Sequence, residues 1–168
     1  MGFHSLNDVL QEQLEDLHSA EEQLVQALPK MAQAANADEL RDAFQHHLEE
    51  TRGHLKRVDE ALGELGVSTP TEVCQAMKGL IAEGEKTIQK DGDPVAKDAA
   101  LIGAAQRVER YEIAAYGTAR QLAGDCGYEN IKDLMDQTLD EESQADKLLT
   151  KIATGGMFGA GLNQQATG

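Results

Sequence analysis

The chain has 168 residues, of which 4% are aromatic and none is tryptophan, and its net charge is −15. That length is enough for one domain with a real core, and the core must come from Leu, Ala, Ile, Val and Met, which suits helix-on-helix packing. The acidic balance argues against non-specific nucleic-acid binding, which needs basic residues to neutralise phosphate, and against docking on anionic membranes; it suits solubility and the attraction of metal cations.

Apolar periodicity predicts a first helix from an N-cap at Ser5 or Asn7 to about Ala35, with a stripe of Leu6, Leu10, Leu17, Leu24, Leu28 and Met31. Pro29 falls inside it and predicts a bend or a break. A second helix runs from near Asp38 to near Leu65, ended by Gly66 in a left-handed conformation. Thr69 and Pro70 read as the cap and first position of a shorter helix reaching about Lys90. Asp91-Gly92-Asp93-Pro94 then breaks the chain. Two more long helices follow, over about 95–123 and 129–153. The remainder, from Gly155, is rich in glycine and lacks periodicity.

Short turns join the first two long helices and the last two, so each pair reads as an antiparallel hairpin. The 70–90 helix lies between the pairs. The pattern predicts an all-α fold, a ferritin-like up-down four-helix bundle with an additional crossover helix. It divides the chain into a helical domain, 1–154, and a flexible Gly-rich tail, 155–168. Cys74 and Cys126 lie far apart without ligand-like spacing and read as reduced thiols in a cytoplasmic protein. The N-terminus has no basic and apolar runs of a signal peptide. No apolar run is long enough to span a membrane.

Each long helix carries an acidic residue on or beside its apolar face: Glu21, Glu50, Glu112 and Glu142. A carboxylate among core positions is costly unless something compensates it. Four of them, with imidazole, are what a two-metal carboxylate site requires. Glu21 lies about 40° from Leu17 on the helical wheel, and Glu112 sits near the centre of its face. Glu50 lies about 80° from the Leu40–Val58 line and has the weakest geometry of the four. One turn on from Glu50 and Glu142 stand His54 and Asp146. The expected metal ligands are therefore Glu21, Glu50, His54, Glu112, Glu142 and Asp146. His47 and Glu109 form a second tier: His47 reads first as a packed core histidine, and Glu109 equally as a ligand or a surface carboxylate. Tyr111 and Tyr116 read as core or near-site residues.

Ser19-Ala20-Glu21-Glu22-Gln23-Leu24, His47-Leu48-Glu49-Glu50-Thr51, Ala104-Ala105-Gln106-Arg107-Val108-Glu109 running into Tyr111-Glu112-Ile113-Ala114-Ala115-Tyr116, and Thr138-Leu139-Asp140-Glu141-Glu142 resemble the YciF/YciE family of bacterial ferritin-like stress proteins. The resemblance covers about residues 5–153. It implies a ferritin-like four-helix fold with an added helix, a homodimer, and a di-metal centre near that of rubrerythrins. The chain departs from those patterns at three places. Glu50 and His54 are four residues apart where the usual motif has three. Asp146 stands where rubrerythrins offer His, and Arg110 where this family is expected to carry His. A site poorer in nitrogen is harder, so manganese competes with iron.

These observations lead to a di-metal carboxylate protein, with two metal ions per chain and iron the leading candidate, that handles iron or peroxide under stress. Rubrerythrin-like ferroxidase or peroxidase activity would need an external electron donor, since no Cys-x-x-Cys pair is present. The alternative is a non-enzymatic helical dimer or oligomer with a structural or vestigial metal site. No partner of nucleic acid or membrane is expected.

Overall fold

The structure, a computed structural model, describes residues 2–156 and 159–167. Met1, Met157, Phe158 and Gly168, the first assigned above to the domain and the others to the tail, lie outside the described residues. Four long helices dominate: α1 (Leu6–Ala34), α2 (Asp38–Glu64), α4 (Pro94–Cys126) and α5 (Glu129–Thr154). The shorter α3 (Gln75–Ile88) lies between the hairpins. Strands β1 (Gly155–Gly156) and β2 (Gly159–Ala160) and the four-residue α6 (Leu162–Gln165) complete the chain. The fold is a ferritin-like helical bundle. Helices α1 and α2 pack together, as do α4 and α5; α2 against α5 and α1 against α4 close the bundle, and α3 lies on α4 and α1.

Local chemistry sets the ends. Ser5 caps α1 in a reciprocal capping box with Asp8. Asp93 caps α4 by accepting from the Ala96 amide, and Pro94 takes the first helical turn, where its missing N–H costs nothing. Gly127 ends α4 at φ +82°, and Gly66 follows α2 at φ +79°. Helix α1 runs unbroken through Pro29.

Helix α2 has no side-chain cap of its own. Asp98, buried on α4, accepts instead from the Asn36 and Ala37 amides at 2.9 and 2.8 Å. Thus the α1–α2 turn is fastened to the far hairpin.

Helix α3 begins five residues later than the Pro70 start. Residues 71–74 are spent on α1 instead. Glu15 accepts from the Thr71 amide, and Ser19 Oγ accepts from the Cys74 amide at 3.0 Å. Cys74 then caps α3 by accepting from the Met77 amide. Hydrogen bonds to a neighbouring helix outcompete the local preference for starting at Thr69-Pro70.

The segment read as a flexible tail is packed where it is described. Gly155 pairs with Ala160, and Leu162 is buried in the core with Leu149 and Ile152. A Cβ on Gly161 would come within 2.1 Å of the Gly155 backbone nitrogen, so the close approach of the two strands requires glycine there. This docking has no helical periodicity, and the composition of the segment hides it.

The apolar interior is divided. One cluster holds Leu24, Leu28, Phe44, Leu101, Ile102, Val108, Leu149 and Ile152. The other holds Leu10, Leu14, Leu17, Val58, Leu62, Tyr116, Ile131 and Met135. Every long helix passes from one cluster to the other. In the interval each carries buried polar residues: Glu21 on α1, His47, Thr51 and His54 on α2, Glu109 and Glu112 on α4, Thr138 and Glu142 on α5. Two oily layers thus enclose one polar layer at mid-bundle.

Candidate metal centre

Six residues of the polar layer converge. Single oxygen or nitrogen atoms of His47, Glu109, Glu112 and Glu142 lie within 4.8 Å of one another, and so do those of Glu21, His54 and Glu142. Glu142 belongs to both groups. His47 Nε2 is 3.4 Å from Glu109 Oε1 and 3.6 Å from Glu142 Oε2. His54 Nδ1 is 2.9 Å from Glu142 Oε1 and 3.5 Å from Glu21 Oε1.

These atoms are close without satisfying one another. Among the described residues, every buried side-chain oxygen or nitrogen that lacks a hydrogen-bond partner belongs to this set: Glu21 Oε2, His47 Nε2, His54 Nδ1, Glu109 Oε2, and both oxygens of Glu112 and of Glu142. Buried polar groups are ordinarily paired. Leaving one unpaired costs about 1–3 kcal/mol, and more when it is charged.

The outward nitrogens of the two rings are, by contrast, engaged. His54 Nε2 lies 2.9 Å from Glu141 Oε2. Arg57 grips Glu141 through both guanidinium ends, at 2.8 and 2.9 Å, and donates to Thr138 Oγ1. His47 Nδ1 lies 3.2 Å from Glu50 Oε2. With each outer nitrogen donating to a carboxylate, a neutral ring would present the lone pair of its inner nitrogen to the polar layer. A carboxylate that holds a histidine from behind is the usual support of a metal-binding imidazole. On the other side, Tyr116 Oη donates to Glu21 Oε1, and its ring meets His54 edge-on at 6.2 Å.

Electrostatics reflect the crowding. Burial raises Glu112 well above the ordinary carboxylate value, and the neighbouring Glu142, Glu21 and Glu109 push the same way. Burial likewise raises Glu109 and Glu21. Burial favours the neutral form of His47, but Glu109 and Glu142 outweigh it and push the imidazole up to about 10. His54 is also pushed up to about 10 against its burial, by Glu142 and Glu21. Glu142 is the exception among the acids. Burial would raise it, yet the two imidazoles hold it below the usual value. In the absence of a cation, protons must therefore supply the positive charge that this layer needs.

Of the first-tier residues, the structure brings together Glu21, His54, Glu112 and Glu142. It does not bring in the other two. Glu50 stands at the rim, 24% exposed, with its oxygens on His46 Nε2 at 3.3 Å and on His47 Nδ1. Its position some 80° off the apolar line, read as about that angle at 100° per residue, puts its carboxylate behind His47 rather than inside. Asp146 lies outside the polar layer. It accepts from Gln106 Nε2 at 3.0 Å and pairs with Arg110 Nε at 3.4 Å. Arg110 and Asp146 thus face each other as an ion pair at the edge of the bundle. Both second-tier residues, His47 and Glu109, point inward instead. The nitrogen-poor donor set expected from Asp146 is corrected: two imidazoles face the layer. Glu141 and Arg57 were missed by sequence reasoning. Their signal was faint, an acid beside Glu142 and a base one turn after His54, and neither lies on an apolar stripe.

Comparison with known proteins gives the family and the fold. Residues 5–166 match the family model described as a domain of unknown function, DUF892. The chain belongs to that family. It is 42% identical over 154 residues to Protein YciF of Escherichia coli strain K12, covering 91% of this chain and 93% of that one. The crystal structure of the E. coli stress protein YciF superposes with a TM-score of 0.85 at 41% identity, over 89% of this chain and 94% of that one. YcfI from Rhodopseudomonas palustris gives 0.86 at 36% identity, over 89% and 96%. Ferritin-like, diiron-carboxylate proteins from Bacillus anthracis give 0.68 at 16% identity, over 89% and 98%, a likeness of fold alone. Among the described residues no helix is long and apolar enough to cross a membrane.

Proposed function

We propose that this protein is a di-metal carboxylate protein that binds two divalent ions, iron foremost, and handles iron or peroxide under stress. The observation that carries the reading is the set of unpartnered buried atoms, all of which belong to four glutamates and two histidines. Ionised, Glu21, Glu109, Glu112 and Glu142 carry four negative charges, which two divalent cations balance with neutral imidazoles. A neutral total is what a buried polar layer requires. Four carboxylates and two imidazoles are also the donor inventory of known di-iron bundles, where each of two helices gives Glu and each of the other two gives Glu-x-x-His. Here the inventory is redistributed: both histidines come from α2, two glutamates from α4, and one each from α1 and α5.

Glu142, common to the two groups, would serve both ions. Glu21 and His54 would complete one coordination sphere, and His47, Glu109 and Glu112 the other. Glu50, and Glu141 with Arg57, orient the imidazoles. Tyr116 holds one oxygen of Glu21 by a hydrogen bond and leaves the other free. When bound, ferrous ions supply the electrons for reducing peroxide or dioxygen. With two nitrogens in the set, the site suits iron better than an all-oxygen site would, and manganese is the competitor. The homodimer implied by the family resemblance and a cytoplasmic location, consistent with the free thiols of Cys74 and Cys126, belong to the same proposal.

The test is metal content followed by reaction. Protein purified without tags or chelators and titrated anaerobically with Fe2+ should take up two ions per chain. Rapid mixing with H2O2 should then oxidise them faster than free Fe2+. Two bound ions oxidised no faster than free Fe2+, with the rate unchanged in Glu112→Ala, would leave a metal-binding or structural protein and end the oxidoreductase reading. Absence of any binding would end both.

A further inference from the structure

Two cavities reach the polar layer, from opposite sides of the bundle, and Glu109 borders both. The first lies under α3, against α1 and α4. Its walls are apolar, Leu24, Met31, Ile81 and Val108 among them, and it has a volume of about 40 Å³. At its rim Lys30 is paired with Glu85 at 2.7 Å. The second opens between α2 and α5 and has a volume of about 200 Å³. Its mouth carries His46 and Glu50, its inner end His47 and Glu109, and Ala145 lines its α5 side.

We propose that the cavity between α2 and α5 is the route by which a divalent cation reaches the centre, and that His46 with Glu50 forms the position where the cation first binds. The proposal rests on the two-ion reading above. His46 Nε2 and Glu50 Oε1 are 3.3 Å apart, and the His46 side chain is 71% exposed. Together they offer a nitrogen and an oxygen donor to a hydrated ion in solvent. Inward of them, His47 Nε2 and Glu109 Oε2 are buried and unpartnered. The same wall therefore carries donors at both ends, and a cation can exchange waters for side chains stepwise rather than lose its hydration in one step. The cavity under α3 offers no such sequence. Between the Lys30–Glu85 ion pair at its rim and Glu109 its walls offer no donor side chain, and the carboxylate of that pair is already held by the ammonium.

Ala145 is a small residue on the wall of the polar route. It stands one turn beyond Glu142, and a larger side chain there would fill the space beside His47 and Glu109.

The route is tested with Co2+ as the probe, by following its absorption bands after rapid mixing with the apo protein and after chelator challenge of the loaded protein. Three variants are compared, each checked for helix content: His46→Ala, Ala145→Leu, and Ala27→Leu in the cavity under α3. None of these positions is in the centre. A change confined to a route alters uptake and release equally and leaves the equilibrium constant alone. The expected result is uptake and release both slowed, about tenfold in His46→Ala through loss of the nitrogen donor that first takes up the ion and at least as much in Ala145→Leu, with Kd unchanged and Ala27→Leu like wild type. Wild-type uptake in Ala145→Leu, or slowing in Ala27→Leu, overturns the route. Wild-type uptake in His46→Ala overturns the entrance position. In those cases Co2+ still binds, and the two-ion reading stands; if wild type itself binds no Co2+, both are overturned.

Discussion

At the scale of single residues, the centre depends on side chains that never enter it. Arg57 holds Glu141, which holds the Nε2 edge of His54. Arg57→Ala leaves Glu141 without its clamp and the ring free to turn. Metal affinity should fall by about 10–100-fold, as is common when the support behind a metal-binding histidine is lost. Titration calorimetry with Mn2+ or Co2+ measures this, and an unchanged affinity would show that His54 needs no support. Protons give a second residue-scale prediction. His47 and His54 are both pushed up to about 10 in the folded chain, so at pH 7 each ring is protonated on both nitrogens. Ligation needs the neutral rings. Metal binding at pH 7 should therefore release protons from both, seen as a buffer-dependent binding enthalpy; identical enthalpies in buffers of different ionisation heat would contradict it.

At the scale of elements, helix α2 shows how a helix that carries two central histidines is started from outside itself. Asp98 on α4 accepts from the Asn36 and Ala37 amides at its N-terminus. Asp98→Ala would leave those amides, at the exposed Asn36 and the half-buried Ala37, without their acceptor, at a cost of about 1 kcal/mol for each lost hydrogen bond. Urea denaturation should show the loss, with two-ion binding retained. A stability within about 0.5 kcal/mol of wild type, the range of ordinary surface changes, would mean that water replaces the carboxylate. The same helix shows where element-level reading succeeded. The line from Leu40 to Val58 is buried, with Phe44, His47, Thr51 and His54 along it. Helix α3 is the counter-case, since Glu15 and Ser19 of another helix decide where it begins.

At the scale of the whole molecule, two apolar layers are held together across a polar one, so the charge state of that layer should govern stability. In the apo form His47 and His54 favour folding while protonated. That contribution is complete below their ordinary value of 6.5 and is lost as pH rises towards about 10. Glu109 and Glu112 act in the same direction, because their raised values favour the neutral acids and the fold loses by their ionisation as pH climbs. Glu142, held low, acts oppositely and matters only as pH falls through the carboxylate range. The apo melting temperature should therefore decline from about pH 5 to pH 10. Metal that binds only the folded chain adds about 2.7 kcal/mol at a hundredfold excess over Kd, and the gap between the holo and apo melting curves should widen with pH. Coincident curves with EDTA and with added Mn2+ would favour a structural role for the layer.

The sequence by itself determined the class of fold, the four long helices with their crossover, and four of the six residues that meet at mid-bundle: Glu21, His54, Glu112 and Glu142. It could do so because a helix repeats every 3.6 residues, and an acid on an apolar stripe is visible as an exception to the pattern. Only the tertiary structure decided which flanking residues turn inward. Glu50 and His47 lie three residues apart on one helix, and sequence ranked Glu50 first because acids were the recurring signal. Packing against α4 and α5 instead puts the imidazole inside, facing Glu109 and Glu142, and leaves the carboxylate behind it. Arg110 and Asp146 found each other across α4 and α5 for the same reason. Periodicity fixes the angle of a residue about its own axis, whereas the neighbour that a flanking side chain meets is set by how the helices are rotated and staggered against one another.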